Sequence, residues 1–192
     1  MALIKLNNRG VKDATAFGSI SSLGSLTLIQ KQTASSSASI SFTSGIDSTY
    51  KEYIFFFKDI HPSSDGVRFQ FNGSSDGGSN YNVTKTSSQF TTFHNEAGSD
   101  ASLEYSGGED LAQSTNFQSL VQGGDLGADS DQCLTGYLHI FNPSSTTFVK
   151  HYISTTQYSH SANYTANPYT AGYFNTTSVV NAIQFKMDSG NI

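Results

Sequence analysis

The chain has 192 residues and a net charge of −5, and only 13% of its residues are charged. This length suits one domain, and the single cysteine excludes a disulfide framework within the chain. A nucleic-acid-binding protein would need a strongly basic face, so the acidic balance argues against nucleic-acid partners. No run of about 18 apolar residues occurs, and the sequence therefore predicts no insertion into a membrane.

Residues 1–25 are predicted to form an extended N-terminal arm, and residues 26–192 to form the folded domain. The arm carries a net charge of +2, whereas the remaining residues sum to −7. A basic arm on an acidic protein favours docking onto an acidic partner, and the alternative is a frayed terminus. The predicted anchoring residues combine apolar and basic side chains: Leu3, Ile4, Lys5, Leu6, Arg9 and Lys12.

From residue 26 onward the sequence predicts strand after strand, with turn signals at short spacing. Alternation is clear at Val67, Phe69 and Phe71, whose side chains share one face. A short helix is predicted only around residues 108–113. These features predict an all-β fold, an antiparallel β-sandwich of the jelly-roll or lectin-like kind. The predicted strands cover residues 26–32, 38–43, 50–60, 67–72, 81–86, 89–94, 101–105, 117–121, 134–142, 147–155, 172–174 and 179–187.

One string matches a catalytic motif. Gly73-Ser-Ser-Asp-Gly77 fits the G-x-S-x-G pattern of a nucleophile elbow, which requires a sharp strand-to-helix turn. No helical pattern follows this string, so a hairpin turn is favoured and no catalytic residue is predicted.

Two groups of residues are candidates for binding a metal ion. Asp125, Asp129 and Asp131 lie in a Gly-rich loop and offer oxygen ligands suited to calcium, but their spacing fails the EF-hand pattern. A symmetric hairpin would place His139 opposite His151, without a visible third ligand. A solvated acidic loop and an ordinary cross-strand pair are favoured, so no metal ion and no cofactor are predicted.

The segment from residue 158 to residue 174 places tyrosines among small polar residues. Tyrosine offers a large contact area at low entropic cost, as in antibody paratopes. The predicted contact surface therefore consists of Tyr158, Tyr164, Tyr169 and Tyr173. The alternative is a long sandwich loop whose tyrosines pack down onto the domain.

Segments spread along nearly the whole chain carry a resemblance to a known family: residues 25–29, 34–50, 52–53, 60–62, 108–113, 138–146, 183–187 and 189–192. In these segments the chain resembles a family of small structural proteins of tailed bacteriophages, especially marine ones. The resemblance implies a β-sandwich, often likened to lectin-type sandwiches, with no recognised catalytic residues. Members of this family serve as virion decoration or as tail-fibre components.

The sequence therefore predicts a non-enzymatic structural protein on the outer surface of a tailed-phage virion, most specifically a capsid decoration protein. Its predicted partners are other virion proteins. The alternative is a tail-fibre or receptor-binding module that recognises a host-surface glycan. A polysaccharide hydrolase is the least favoured class, because no pair of catalytic carboxylates can be assigned from the sequence.

The end of the chain adds a prediction about assembly. In the family it resembles, one further strand follows the segment that here ends at Ile192, so an open sheet edge is predicted beside the strand at residues 179–187. Open edges recruit strands from other chains. Residues 2–6 of an adjacent copy are the predicted donor, which would give a homo-oligomer. The alternative is an edge blunted by twist or covered by a loop.

Overall fold

A computed structural model describes residues 26–192, so the predictions on the arm and on its six anchoring residues lie outside the described residues. Residues 32–192 form one compact unit. Residues 26–31 form no strand, contrary to the prediction, and their apolar side chains Leu26, Leu28 and Ile29 are exposed.

Within residues 26–192, ten strands build two sheets, and every pairing within the sheets is antiparallel. The two sheets pack face to face, which confirms the predicted all-β sandwich. The strands are β1 (Ile40–Phe42), β2 (Glu52–Ile60), β3 (Phe69–Ser74), β4 (Lys85–Asn95), β5 (Ala101–Tyr105), β6 (Gln118–Ser119), β7 (Leu134–Phe141), β8 (Lys150–His160), β9 (Tyr164–Phe174) and β10 (Ala182–Met187).

The order of the strands is that of a jelly roll with an insertion. One sheet runs β1-β10-β3-β6 and the other runs β2-β7-β8-β9-β4-β5. When β7, β8 and β9 are counted as one element, eight elements remain in the two four-membered sheets of a jelly roll. The β7–β9 meander therefore widens the second sheet from four strands to six and creates a broad outer face.

The predicted helix at residues 108–113 is wrong, because this segment consists of turns, a bend and extended chain. Within residues 26–192 no helix is long and apolar enough to cross a membrane.

The strand predicted at residues 179–187 is present as β10, and it is an interior strand of its sheet. Strand β10 lies between β1 and β3 and pairs with both. Beyond the strand, the backbone N–H and C=O of Ile192 pair with Ser37 at 2.9 and 3.1 Å. The proposed strand exchange therefore has no acceptor edge at β10.

Phenylalanine side chains form the centre of the core between the sheets. Phe185 on β10 has five other phenylalanine rings within 6.4 Å, measured between ring centroids. Two of these rings come from β2 in the opposite sheet, so Phe185 joins the two layers. The five neighbours are Phe42, Phe55, Phe57, Phe69 and Phe71.

An ion pair connects the loop at residues 106–113 to the sandwich. The Nε of Arg68 donates to both carboxylate oxygens of Glu109 at 3.1 Å, and its Nη2 donates to Oε1 at 3.0 Å. The Glu109 side chain is 7% exposed, and it also accepts a hydrogen bond from the backbone N–H of Gly123. Glu109 therefore has a structural role, because it connects its own loop and the loop that contains Gly123 to Arg68.

Glu109→Ala is expected to lower the free energy of unfolding by about 2 kcal/mol, because it leaves the Gly123 N–H and the Nε and Nη2 groups of Arg68 without their acceptor, while Nη1 of Arg68 keeps Asp188 at 3.4 Å. Urea unfolding followed by fluorescence measures this change. Glu96→Ala, which truncates an exposed carboxylate, is the matched control and should change the value by less than about 0.5 kcal/mol. Equal effects in the two variants would contradict the structural role of Glu109.

Candidate binding face

The outward side of the six-stranded sheet is the candidate functional surface, and we call it the outer face. Side chains alternate along each strand, so that on β8 Tyr152 and Ser154 point into the core while His151 and Ile153 are exposed. The outer face thus collects every second residue of six neighbouring strands.

One register row across the outer face is almost entirely aromatic, and we call it the long row. Between Phe90 and Tyr169 the rings stack with centroids 5.0 Å apart and planes 12° apart. Since neighbouring strands lie about 4.8 Å apart, six strands spread this row over about 24 Å. In sheet order the long row is Phe56, Tyr137, Thr155, Tyr169, Phe90 and Tyr105.

A second row lies four residues further along the strands, and we call it the short row. It consists of His151 opposite Tyr173 and Tyr173 opposite Thr86. The centroids of the His151 and Tyr173 rings are 6.0 Å apart. The two rows therefore run parallel to each other across β8, β9 and β4.

Side chains shorter than the aromatic ones in the two rows leave a depression between them, which we call the trough. Its floor is formed by Ile153, Ala171 and Ser88, which occupy adjacent register positions. The depression has a volume of about 560 Å³ and is also lined by His151 and Tyr173. It is shallow and open to solvent, so a ligand would lie along it rather than be enclosed by it.

A glycine beneath the trough allows the sheet to pack closely at this point. Gly172 faces inward, and a Cβ atom built there would lie 2.6 Å from the buried hydroxyl oxygen of Tyr152 and 2.5 Å from the backbone oxygen of Thr86. Any larger residue would displace the strand or the Tyr152 ring. The trough floor therefore depends on glycine at this position.

Charge is absent from the centre of the outer face. The long row, the short row and the trough floor contain no Asp, Glu, Lys or Arg. Ordinary surfaces carry about 25–35% of these residues, so this face differs strongly in chemistry from a solvated surface. At the end of the long row, Tyr105 donates a hydrogen bond to Asp110, which raises the pKa of the Tyr105 hydroxyl and keeps it neutral.

The four predicted contact tyrosines fall in three different places. Tyr169 and Tyr173 belong to the long and short rows. Tyr164, at the start of β9, packs on Phe93 and donates to Asp100 at 3.2 Å, away from both rows. Tyr158 is 1% exposed and donates to the backbone oxygen of Gln122 at 3.3 Å, so it is a core residue and cannot belong to a contact surface.

Four aromatic residues of the long row were not identified from the sequence: Phe56, Tyr137, Phe90 and Tyr105. Each lies at an outward position of a strand and is 37–68% exposed. The signal available in the sequence was that aromatic residues recur on the side of each strand opposite to the buried residues. Their alignment into one row follows from the pairing of strands that are distant in the chain.

The predicted histidine pair does not form, because the register of the β7–β8 hairpin is shifted by two residues. His139 lies opposite Ile153, and its Nε2 is 3.1 Å from Oε2 of Glu52. Strand β8 begins at Lys150, whose side chain is buried and whose Nζ donates to the backbone oxygens of Phe148 and Thr176.

The other two candidates from the sequence, the G-x-S-x-G string and the acidic loop, also take part in local structural interactions. The serine of the G-x-S-x-G string is Ser75, which is exposed in a bend after strand β3. Before it, Ser74 ends β3 and its hydroxyl donates to Asp76 at 2.6 Å; this bond and further ones from Asn80 lower the pKa of Asp76 to about 2. A turn follows, where a nucleophile elbow would have a helix. In the acidic loop, Oδ2 of Asp125 lies 3.3 Å from Nε2 of His160. Within residues 26–192, no three His, Cys, Asp or Glu side chains are grouped as a metal ion requires.

Comparison of the chain with known protein families, with curated proteins and with solved structures found no match. Its function is therefore inferred from its own sequence and geometry.

Proposed function

We propose that this chain is a non-enzymatic structural protein of a tailed-phage virion, displayed on the outer surface of the particle as a capsid decoration protein. The observation that carries this proposal is the long row of the outer face, which exposes aromatic side chains from five of the six strands and contains no charged side chain. Exposed apolar surfaces of this kind mark interaction sites rather than solvated surfaces. The resemblance to phage structural proteins and the jelly-roll topology support the same function.

The proposal assigns different tasks to the two ends of the chain. The basic arm, with Lys5, Arg9 and Lys12, binds an acidic surface of other virion proteins. The sandwich then projects from the particle and presents its outer face. The arm supplies attachment through charge, and the folded domain supplies a surface for a second contact.

Particle incorporation tests this proposal in a phage that encodes the chain. Replacing Lys5, Arg9 and Lys12 together by glutamate is expected to remove the protein from purified particles, because the arm then repels its acidic partner. Quantitative mass spectrometry of the particles measures the copy number. The matched control replaces three exposed lysines of the described chain, Lys31, Lys51 and Lys58, and should be incorporated normally.

Immunogold labelling distinguishes the capsid from the tail. Labelling over the whole head is the result expected for a decoration protein. Labelling confined to the tail would assign the chain to a fibre, the alternative location. Absence of the wild-type chain from purified particles would overturn the proposed function.

A further inference from the structure

We propose that the trough of the outer face binds a neutral glycan chain that lies across strands β8, β9 and β4. The inference deepens the proposed function, on which it rests only for the exposure of the outer face on the particle. The depression is lined by His151 and Tyr173, and its floor is formed by Ile153, Ala171 and Ser88. On the other side of the floor, the next register row contains Tyr169 and Phe90.

Aromatic rings on both sides of the trough match the shape of a sugar ring. The faces of a pyranose carry C–H groups with a small positive charge, and these pack on the electron-rich faces of aromatic side chains. Tyr169 and Phe90 form a stacked pair on one side, and the rings of His151 and Tyr173 line the other. A chain that follows the trough therefore has aromatic side chains beside it in both flanking rows.

Hydrogen-bonding groups lie between these rings. The side chains of Thr86, Ser88 and His151 line the trough, and Thr155 lies in the long row beside Tyr169. Hydroxyl groups act both as donors and as acceptors, as sugar hydroxyls do. The site thus alternates apolar stacking surfaces with neutral polar groups, which is the chemistry of a saccharide ligand.

The charge of the site selects among possible ligands. Neither row nor the floor contains a Lys or Arg that would bind the phosphates of a nucleic acid or the carboxylates and sulfates of an anionic polysaccharide. They also contain no Asp or Glu to hold a cationic ligand. A neutral glycan is the ligand whose charge matches that of the trough.

The position of the trough argues against a peptide that binds as an added strand. Such a peptide pairs with a sheet edge, but β8, β9 and β4 are interior strands whose backbone groups already pair on both sides. A second copy of the chain on this face is a separate outcome, which sedimentation velocity distinguishes below.

Glycan binding by the full-length protein tests the inference. The probes are neutral hexasaccharides of α- and β-linked glucose, of β-linked mannose and of β-linked N-acetylglucosamine, with an alginate hexasaccharide and a heparin hexasaccharide as anionic probes. Isothermal titration calorimetry measures the affinity for each. We expect at least one neutral probe to bind and both anionic probes to bind at least about tenfold more weakly.

Variants then locate the site. Tyr169→Ala should weaken neutral-glycan binding at least about tenfold, whereas Tyr169→Phe, which keeps the ring, should lose less than about threefold. Ala171→Gln fills the trough from an exposed position without adding charge, and should abolish binding. Phe148→Ala, which truncates a 69% exposed aromatic residue outside the trough, is the matched control and should bind like the wild type.

Several results would overturn the inference. One is that no neutral probe binds, and another is that the anionic probes bind best. A third is neutral binding that survives Ala171→Gln. A fourth is a dimer in sedimentation velocity that Ala171→Gln dissociates, since a second copy would then occupy the face. None of these results affects incorporation into particles, so the inference can fail while the proposed function stands.

Discussion

Phe185→Ala is expected to lower the free energy of unfolding by about 3–5 kcal/mol, the largest effect of any single core truncation proposed for this chain. Phe185 is 3% exposed and has five phenylalanine rings around it, from β1 and β3 in its own sheet and from β2 in the other. Because the surrounding rings belong to two sheets, they cannot close together around the cavity without moving the layers relative to each other.

Urea unfolding of the wild type and of Phe185→Ala measures this effect. The slope of free energy against urea concentration should be the same in both, because a changed slope would indicate a changed denatured state. Phe56→Ala is the matched control, because Phe56 is 68% exposed on the outer face. Phe56→Ala should lower the free energy of unfolding by less than about 1 kcal/mol. A loss below about 1 kcal/mol for Phe185→Ala would show that the two layers adjust to fill the space, and would contradict the assignment of Phe185 as the residue that joins them.

A second large effect is expected from pH, because Lys85 is completely buried at the start of β4. Its Nζ donates to Oδ1 of Asn72 at 2.6 Å and to the backbone oxygen of Val83 at 3.1 Å. Among residues 26–192, no carboxylate forms an ion pair with it. Burial lowers the pKa of Lys85 from 10.5 to about 7.

The sign of the effect follows from proton counting. Between about pH 7 and pH 10.5, the unfolded chain keeps the Lys85 proton while the folded chain has lost it, so stability rises with pH. Tyr152 and Tyr158 act in the opposite direction above about pH 10, because burial raises the pKa of both hydroxyls and only the unfolded chain ionises there. Stability is therefore expected to increase from pH 7 to a maximum near pH 10 and then to fall.

The expected rise between pH 7 and pH 10 is about 3 kcal/mol, with a slope of at most about 1.4 kcal/mol per pH unit. Urea unfolding at pH 7, 8, 9 and 10 measures it. Lys85→Met should remove most of the slope, and Asn72 Oδ1 would keep the backbone N–H of Gly73 as a donor at 2.8 Å. Lys31→Met, at an exposed position, should leave the slope unchanged. An equal slope in the Lys85→Met variant would mean that other groups cause the pH dependence.

Strand β9 shows why part of the fold was not predictable from local sequence. Proline lacks a backbone donor and is unfavourable in a central strand, so the segment containing Pro168 was predicted as a loop until residue 172. In the structure Pro168 lies opposite Thr91 on β4, and the ladder to β8 is interrupted beside it. The side-chain amide of Asn167 donates to the backbone oxygen of Thr156, which supplies a donor next to the proline. Because this hydrogen bond goes to a neighbouring strand, the sequence around Pro168 does not reveal it.

The sequence by itself determined the fold class and the inward-facing residues of several strands. Alternation with a period of two is a local property, and it identified Phe69 and Phe71 on β3 and Ile183, Phe185 and Met187 on β10, all of which are buried. Composition alone predicted the contact surface of Tyr158, Tyr164, Tyr169 and Tyr173, and it could not show that Tyr158 points inward on β8 and is buried.

Only the tertiary structure decided how these strands combine into a site. The long row joins residues as distant in sequence as Phe56 and Tyr137, or Phe90 and Tyr169, through the pairs β2–β7 and β4–β9. A shift of one residue in either pair would turn one strand's aromatic residue to the other side of the sheet. Register between distant strands is set by the packing of the whole core, so the trough exists only once both sheets have formed.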